Sequence, residues 1–147
     1  MAQGYINILL HAHLPFVRHP EFSEFHEESW LFEALSETYL PLLRVLNGLH
    51  ADKVPINISI SFSPTLISML VDEMLQERYV QHLDKLILLG EQEVARTERE
   101  DRRFLPQARM YLELYQRNKA DFLDVYGRDI LSGYIRLYKA GQIELMT

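Results

Sequence analysis

His11 and His13, in the run His11-Ala12-His13-Leu14-Pro15, are the side chains best suited to chemistry. Side chains alternate between faces in an extended segment, so both imidazoles share a face with Asn7. An imidazole near neutral pH ligates a metal ion or exchanges hydrogen bonds with a polar ligand. The metal reading needs further His or Asp ligands from later strands. Downstream strand ends supply Phe62-Ser63-Pro64-Thr65, then only Glu144 and Thr147. The hydrogen-bonding reading needs only a polar substrate. A lone His near a strand end is a satisfied structural residue more often than a functional one. A His-x-His pair ahead of Leu-Pro is more informative, because parallel α/β sheets build their sites at strand carboxyl ends.

A second polar row supports this location. In residues 56–63 Asn57, Ser59, Ser61 and Ser63 alternate with Ile56, Ile58, Ile60 and Phe62. Strands covered on both sides usually read as continuous apolar runs. Two strands that each carry a polar face predict a solvated, hydrogen-bonding interior of the kind that presents a sugar or another polyol.

Carboxylates give less. Glycoside chemistry uses two carboxyl groups about 5 Å apart for retention, and wider for inversion. Glu21, Glu24, Glu27 and Glu28 crowd the first loop and read as a solvated segment feeding a helix N-terminus. Glu144 reads as a strand side chain paired with a neighbouring cation, so no acid–nucleophile pair is visible. Trp30, the single tryptophan, either stacks on a sugar face or packs at a helix start, and Phe16, Phe22 and Phe25 carry the same ambiguity. There is no GxSxG, no phosphate-binding glycine loop and no dinucleotide fingerprint.

The elements that hold these residues follow from periodicity. Residues 5–11 are β-branched and apolar and predict a strand, stopped at Leu14-Pro15. A helix begins near Ser29, and Pro41 either kinks it or starts a second one. After the second strand, Ser63-Pro64 opens a helix with Leu66, Ile67, Leu70, Val71, Met74 and Leu75 as its stripe. Tyr79 to Val94 marks one long amphipathic helix. Phe104, Ala108, Tyr111, Leu112, Tyr115, Phe122 and Tyr126 mark another, read as core. Residues 98–103 read as a salt-bridged surface. Ile130, Ile135 and Leu137 belong to a last helix, which Gly141 stops, and residues 142–147 predict a third strand. Strands separated by helices pair in parallel through crossovers, which makes this an α/β protein. Three strands do not close a barrel, so the chain reads as the front portion of something larger.

Composition bounds the alternatives. The 147 residues suffice for one domain. The 15 Lys and Arg against 21 Asp and Glu give a net charge of −6, which argues against nucleic acid and against anionic membranes as partners. The absence of cysteine excludes disulfide scaffolds, thiolate zinc sites and cysteine nucleophiles. No segment is long and apolar enough to span a bilayer or is built for export, and a cytoplasmic location fits.

Together these residues resemble a family. Residues 4–21, Gly-Tyr-Ile-Asn-Ile-Leu-Leu-His-Ala-His-Leu-Pro-Phe-Val-Arg-His-Pro-Glu, are similar to the opening of glycoside hydrolase family 57, especially its α-1,4-glucan branching enzymes and amylase-like relatives. His11-Ala12-His13-Leu14-Pro15 matches the family's first motif. Trp30-Leu31-Phe32-Glu33-Ala34 and Glu37-Thr38-Tyr39-Leu40-Pro41-Leu42-Leu43 resemble the following helix. Residues 141–147 resemble the lead-in to the second motif. The resemblance implies residues 1–147 as the N-terminal segment of a seven-stranded (β/α) barrel catalytic domain. It implies a retaining enzyme that needs no metal or other cofactor and acts on α-glucan, whose Glu nucleophile and Asp acid/base lie beyond Thr147. It implies His11 and His13 as sugar-binding residues and Trp30, or a Phe within residues 22–25, as the first-loop aromatic. Chain transfer to a 6-hydroxyl is the expected activity, with transfer to water in hydrolytic relatives. The 147 residues alone are expected to be inactive, with the rest of the barrel as their partner. A metal-dependent barrel hydrolase and a non-catalytic glycan-binding piece are the other readings.

Overall fold

The computed structural model describes residues 3, 4 and 6–146. Three parallel strands lie in the order β1 (Leu9–Ala12), β2 (Ile58–Phe62), β3 (Ile143–Met146). Helices α1 (Glu28–Ala34) and α2 (Leu40–Ala51) connect β1 to β2. Helices α3 (Pro64–Leu70), α4 (Glu73–Glu100), α5 (Leu105–Ala120) and α6 (Ile130–Lys139) connect β2 to β3. Parallel pairing with helical crossovers is the α/β architecture expected.

Strand limits differ from the apolar runs. Residues 6–8 lie outside β1, although Ile8 O accepts from the Ser59 N–H at 3.0 Å, and Ile6 is 93% exposed. Tyr5 and Thr147, counted as strand from the sequence, lie outside the described residues. Ser63 leaves β2 and caps α3, accepting from the Leu66 N–H.

Pro41 stands in the first turn of a second helix, α2, one of the two outcomes expected. α1 runs through a π-helical turn (Leu35–Tyr39) directly into α2, with the Leu40 N–H donating to Leu35 O; Pro41 brings no N–H to this continuous helix, and the Asn118 side chain donates to the Ser36 carbonyl in the turn before it. The stripe from Leu66 to Leu75 is not one helix. It breaks at Val71, which is exposed, and Asp72 caps α4 by accepting from the Leu75 N–H at 3.0 Å. A second π turn (Asp121–Val125) follows α5. Gly127 and Arg128 at positive φ then reverse the chain before Asp129 caps α6.

The core lies between one face of the sheet and the helices. Ala12, Ile60, Phe62 and Ile143 pack with Leu31, Leu40, Leu43, Met69, Tyr134 and Leu137. The stripe on α5 is core only in part: Phe122 and Tyr126 are buried, whereas Phe104 and Tyr111 are exposed. Phe104 and Tyr111 lie at the outer edge of the α4–α5 contact, beside Glu93 and Arg96, where solvent reaches them. Residues 98–103 form the ion-paired surface expected, with Arg96 bonding Glu100 and Arg103 bonding Asp101. Several buried polar side chains are paired with each other, whereas the buried Gln142 Oε1 has no partner among the described residues. Tyr79 Oη lies 2.9 Å from Ser36 Oγ, and Asn118 donates to Ser36 O at 2.9 Å while accepting from Arg44, which also bonds Asp121. This network joins the two π turns.

Candidate functional site

The two histidines stand at the carboxyl edge of β1. Their rings stack on one face at 9° with centroids 5.9 Å apart, as period-two alternation requires. Register sets their surroundings. His11 lies opposite Ser61, and Nδ1 of the one is 2.5 Å from Oγ of the other. One pair further back Ser59, almost fully buried, donates to Glu144 Oε2 at 2.9 Å. The partner of Glu144 is therefore a serine hydroxyl and not the cation expected, because parallel pairing of β2 and β3 sets the two side by side. The result is a polar strip across three strands, backed by the apolar face that packs on the helices.

The loop after β1 is anchored to α4 by ion pairs. Arg18 donates to Asp72 at 2.5 Å. The Arg78 guanidinium donates to Glu28, to Phe22 O and, at 3.2 Å, to His19 O. Glu28 is 2% exposed, which corrects the solvated reading of the loop acids for this residue. The segment folds back on α4, and charged groups at this depth are retained only in pairs. Glu21 and Glu24 are exposed as expected, their carboxyls held low by local hydrogen bonds, to backbone N–H at Glu21 and to Lys85 at Glu24.

Trp30 sits half-exposed on α1. Among the described residues no hydrogen bond or ring contact joins it to His11 or His13. Phe22 and Phe25 stack at 5.2 Å, and His19 lies on Phe25 at 3.7 Å.

Concavities lie away from the histidines. A cleft of about 360 Å³ between the first loop and α4 is lined by Phe25, His26, Phe32, Arg78, His82 and Lys85. Another of about 530 Å³ lies at the amino ends of the strands, beside Asn57, Ser59 and Glu144. Neither cleft is lined by His11 or His13. Among the described residues no three His, Asp or Glu side chains gather to hold a metal ion. Among the described residues no helix is long and apolar enough to cross a membrane.

His82 in the first cleft makes a pH prediction. Burial pushes its pKa below the ordinary 6.5, with Lys85 adding to the shift and Glu33 opposing it. The folded state thus favours the neutral ring. Stability is present in full above the unfolded value and is lost as the pH falls through 6.5 towards the folded value. Between pH 7.5 and 5.5 the urea midpoint of the full-length protein is expected to fall further in wild type than in His82→Gln. Equal falls would remove His82 from the balance.

Parallel strands joined by helical crossovers, with the helices packed on one face and a polar strip on the other, define a (β/α) segment. The chain belongs to glycosyl hydrolase family 57, whose sequence model matches residues 7–147. It is 39% identical to the α-amylase AmyC of Thermotoga maritima and superposes with a TM-score of 0.91, covering 99% of this chain and 27% of that one. It is 27% identical to a family 57 branching enzyme of Pyrococcus horikoshii, with a TM-score of 0.89 and the same coverage. The 1,4-α-glucan branching enzyme TK1436 of Thermococcus kodakarensis is 30% identical over 145 residues, 99% of this chain and 21% of the relative. The crystal structure of TK1436 in complex with glucose superposes with a TM-score of 0.86. The chain thus spans about a fifth to a quarter of the length of these relatives, and its three strands correspond to part of their (β/α)7 barrel.

The polar row on β2 was legible as an alternating pattern. The partnership of Ser61 with His11 was not, because it depends on register. Nor was the Glu28–Arg78 pair, which spans 50 positions and leaves no local signal.

Proposed function

We propose that residues 1–147 form the N-terminal segment of the catalytic barrel domain of an α-glucan-active, retaining enzyme. The activity we assign to the full-length protein is 1,4-α-glucan branching: cleavage of an α-1,4 link and transfer of the released chain to a 6-hydroxyl. The observation that carries this reading is the likeness, over 99% of the chain, to two branching enzymes of the same family. His11 and His13 bind and orient the sugar through ring N–H groups on the polar strip, and Trp30 supplies an apolar face for a ring further out. The catalytic carboxylates belong to sequence beyond Thr147, so these 147 residues alone are expected to leave amylose unchanged.

Hydrolysis is the second reading, favoured by the 39% identity to an α-amylase. One experiment separates the two. Full-length protein is incubated with amylose, and the product is measured for reducing ends and, after enzymatic debranching, for released short chains. Branching gives short chains on debranching with few new reducing ends. Hydrolysis gives reducing ends with none released on debranching. Amylose unchanged in both measurements would overturn the α-glucan assignment.

A further inference from the structure

We propose that Ser61 is a positioning residue for the histidine pair: its hydroxyl clamps the His11 ring in the Nε2–H tautomer, so that this N–H is left free as a donor to a bound sugar. The proposal rests on the sugar-binding reading of His11 and assigns a role to a residue on a different strand. The register puts Ser61 directly opposite His11, with Oγ 2.5 Å from Nδ1. On its other side the register partner of Ser61 is Met146, whose thioether is only a weak acceptor. Among the described residues the Ser61 hydroxyl has no hydrogen bond besides that to His11.

The side chain is half-buried, and His11 Nδ1 is the one acceptor within hydrogen-bond reach of its O–H among the described residues. The hydroxyl therefore donates to Nδ1. That nitrogen must then be unprotonated in the neutral ring, which places the proton on Nε2. Should the ring take a second proton, the bond reverses, Nδ1–H donating to Oγ, and Nε2–H still donates outward. His13 has no side-chain hydrogen bond among the described residues and is held by stacking on His11. One serine thus orients the His11 ring, on which His13 stacks. This is the arrangement a site needs when a sugar hydroxyl must meet a donor in a preset direction, because each ring left to rotate loses affinity on ordering.

The test uses the full-length protein and amylose. Ser61→Ala is expected to lower kcat/KM about tenfold, chiefly through KM, and Ser61→Thr, which keeps the hydroxyl, to recover most of the loss. Added to His11→Ala, Ser61→Ala is expected to cost nothing further, since its effect runs through that ring. Ring ¹⁵N shifts of histidine-labelled protein should show His11 as the Nε2–H tautomer in wild type and a tautomer mixture in Ser61→Ala. If His11→Ala is impaired while Ser61→Ala is not, or if the two losses multiply, the positioning role is wrong and the sugar-binding reading stands. If His11→Ala keeps wild-type turnover, that reading itself falls and this proposal with it.

Discussion

Replacing Arg78 with alanine should cost about 3–5 kcal/mol of folding stability, the usual effect of removing one member of a buried ion pair. The guanidinium is the hub of the first loop: it donates to the Glu28 carboxylate and to the carbonyls of Phe22 and His19. Glu28 is almost completely buried, and its Oε1 also accepts from the His19 N–H at 3.4 Å. Without Arg78 the loop must open to bring water to that carboxylate, and the Phe22 carbonyl loses its donor while His19 O keeps only the Phe22 N–H. Urea unfolding of the full-length protein measures the total, and hydrogen exchange over residues 19–28 shows whether the loop opens first. The double replacement Glu28→Leu with Arg78→Met removes both charges and should recover much of the loss, because an apolar pair of similar size needs no compensation. A loss below about 1 kcal/mol for Arg78→Ala would mean that the pair is effectively solvated.

The second large effect is on turnover. His11→Ala and His13→Ala are each expected to lower kcat/KM on amylose about 10- to 100-fold, the range for deleting a hydrogen bond worth roughly 1.5–3 kcal/mol. Stability should change little, within about 0.5 kcal/mol, because both rings are exposed and stack mainly on one another. The contrast separates the two residue classes: Arg78→Ala should unfold easily, whereas the histidine variants should melt like wild type and turn over poorly. Wild-type kinetics in both histidine variants would sink the substrate-binding role. A matching loss of stability would recast the pair as structural.

These expectations divide by what each rests on. His11-Ala12-His13 and the alternating row from Asn57 to Ser63 were legible because strand periodicity is a property of adjacent residues, and the faces they share follow from it. The strand–helix alternation likewise dictated a parallel α/β sheet, since parallel partners need crossovers. Helix limits were less legible. Asp72 ends one apolar stripe and starts another helix by capping the Leu75 N–H, a signal that the continuous run around it hides. The π turn before Pro41 has no marker except the proline itself.

What neighbours could not decide was decided by contacts across the chain. Register between β1 and β2 gave His11 its serine, and register between β2 and β3 gave Glu144 a hydroxyl in place of a cation. The return of the first loop onto α4 turned Glu28 from a surface acid into half of a buried pair. Each of these depends on residues 50 or more positions apart. Local sequence carries which side chains can do chemistry and which face they share. Only the folded sheet decides what each of them touches, because one residue of register changes every cross-strand partner.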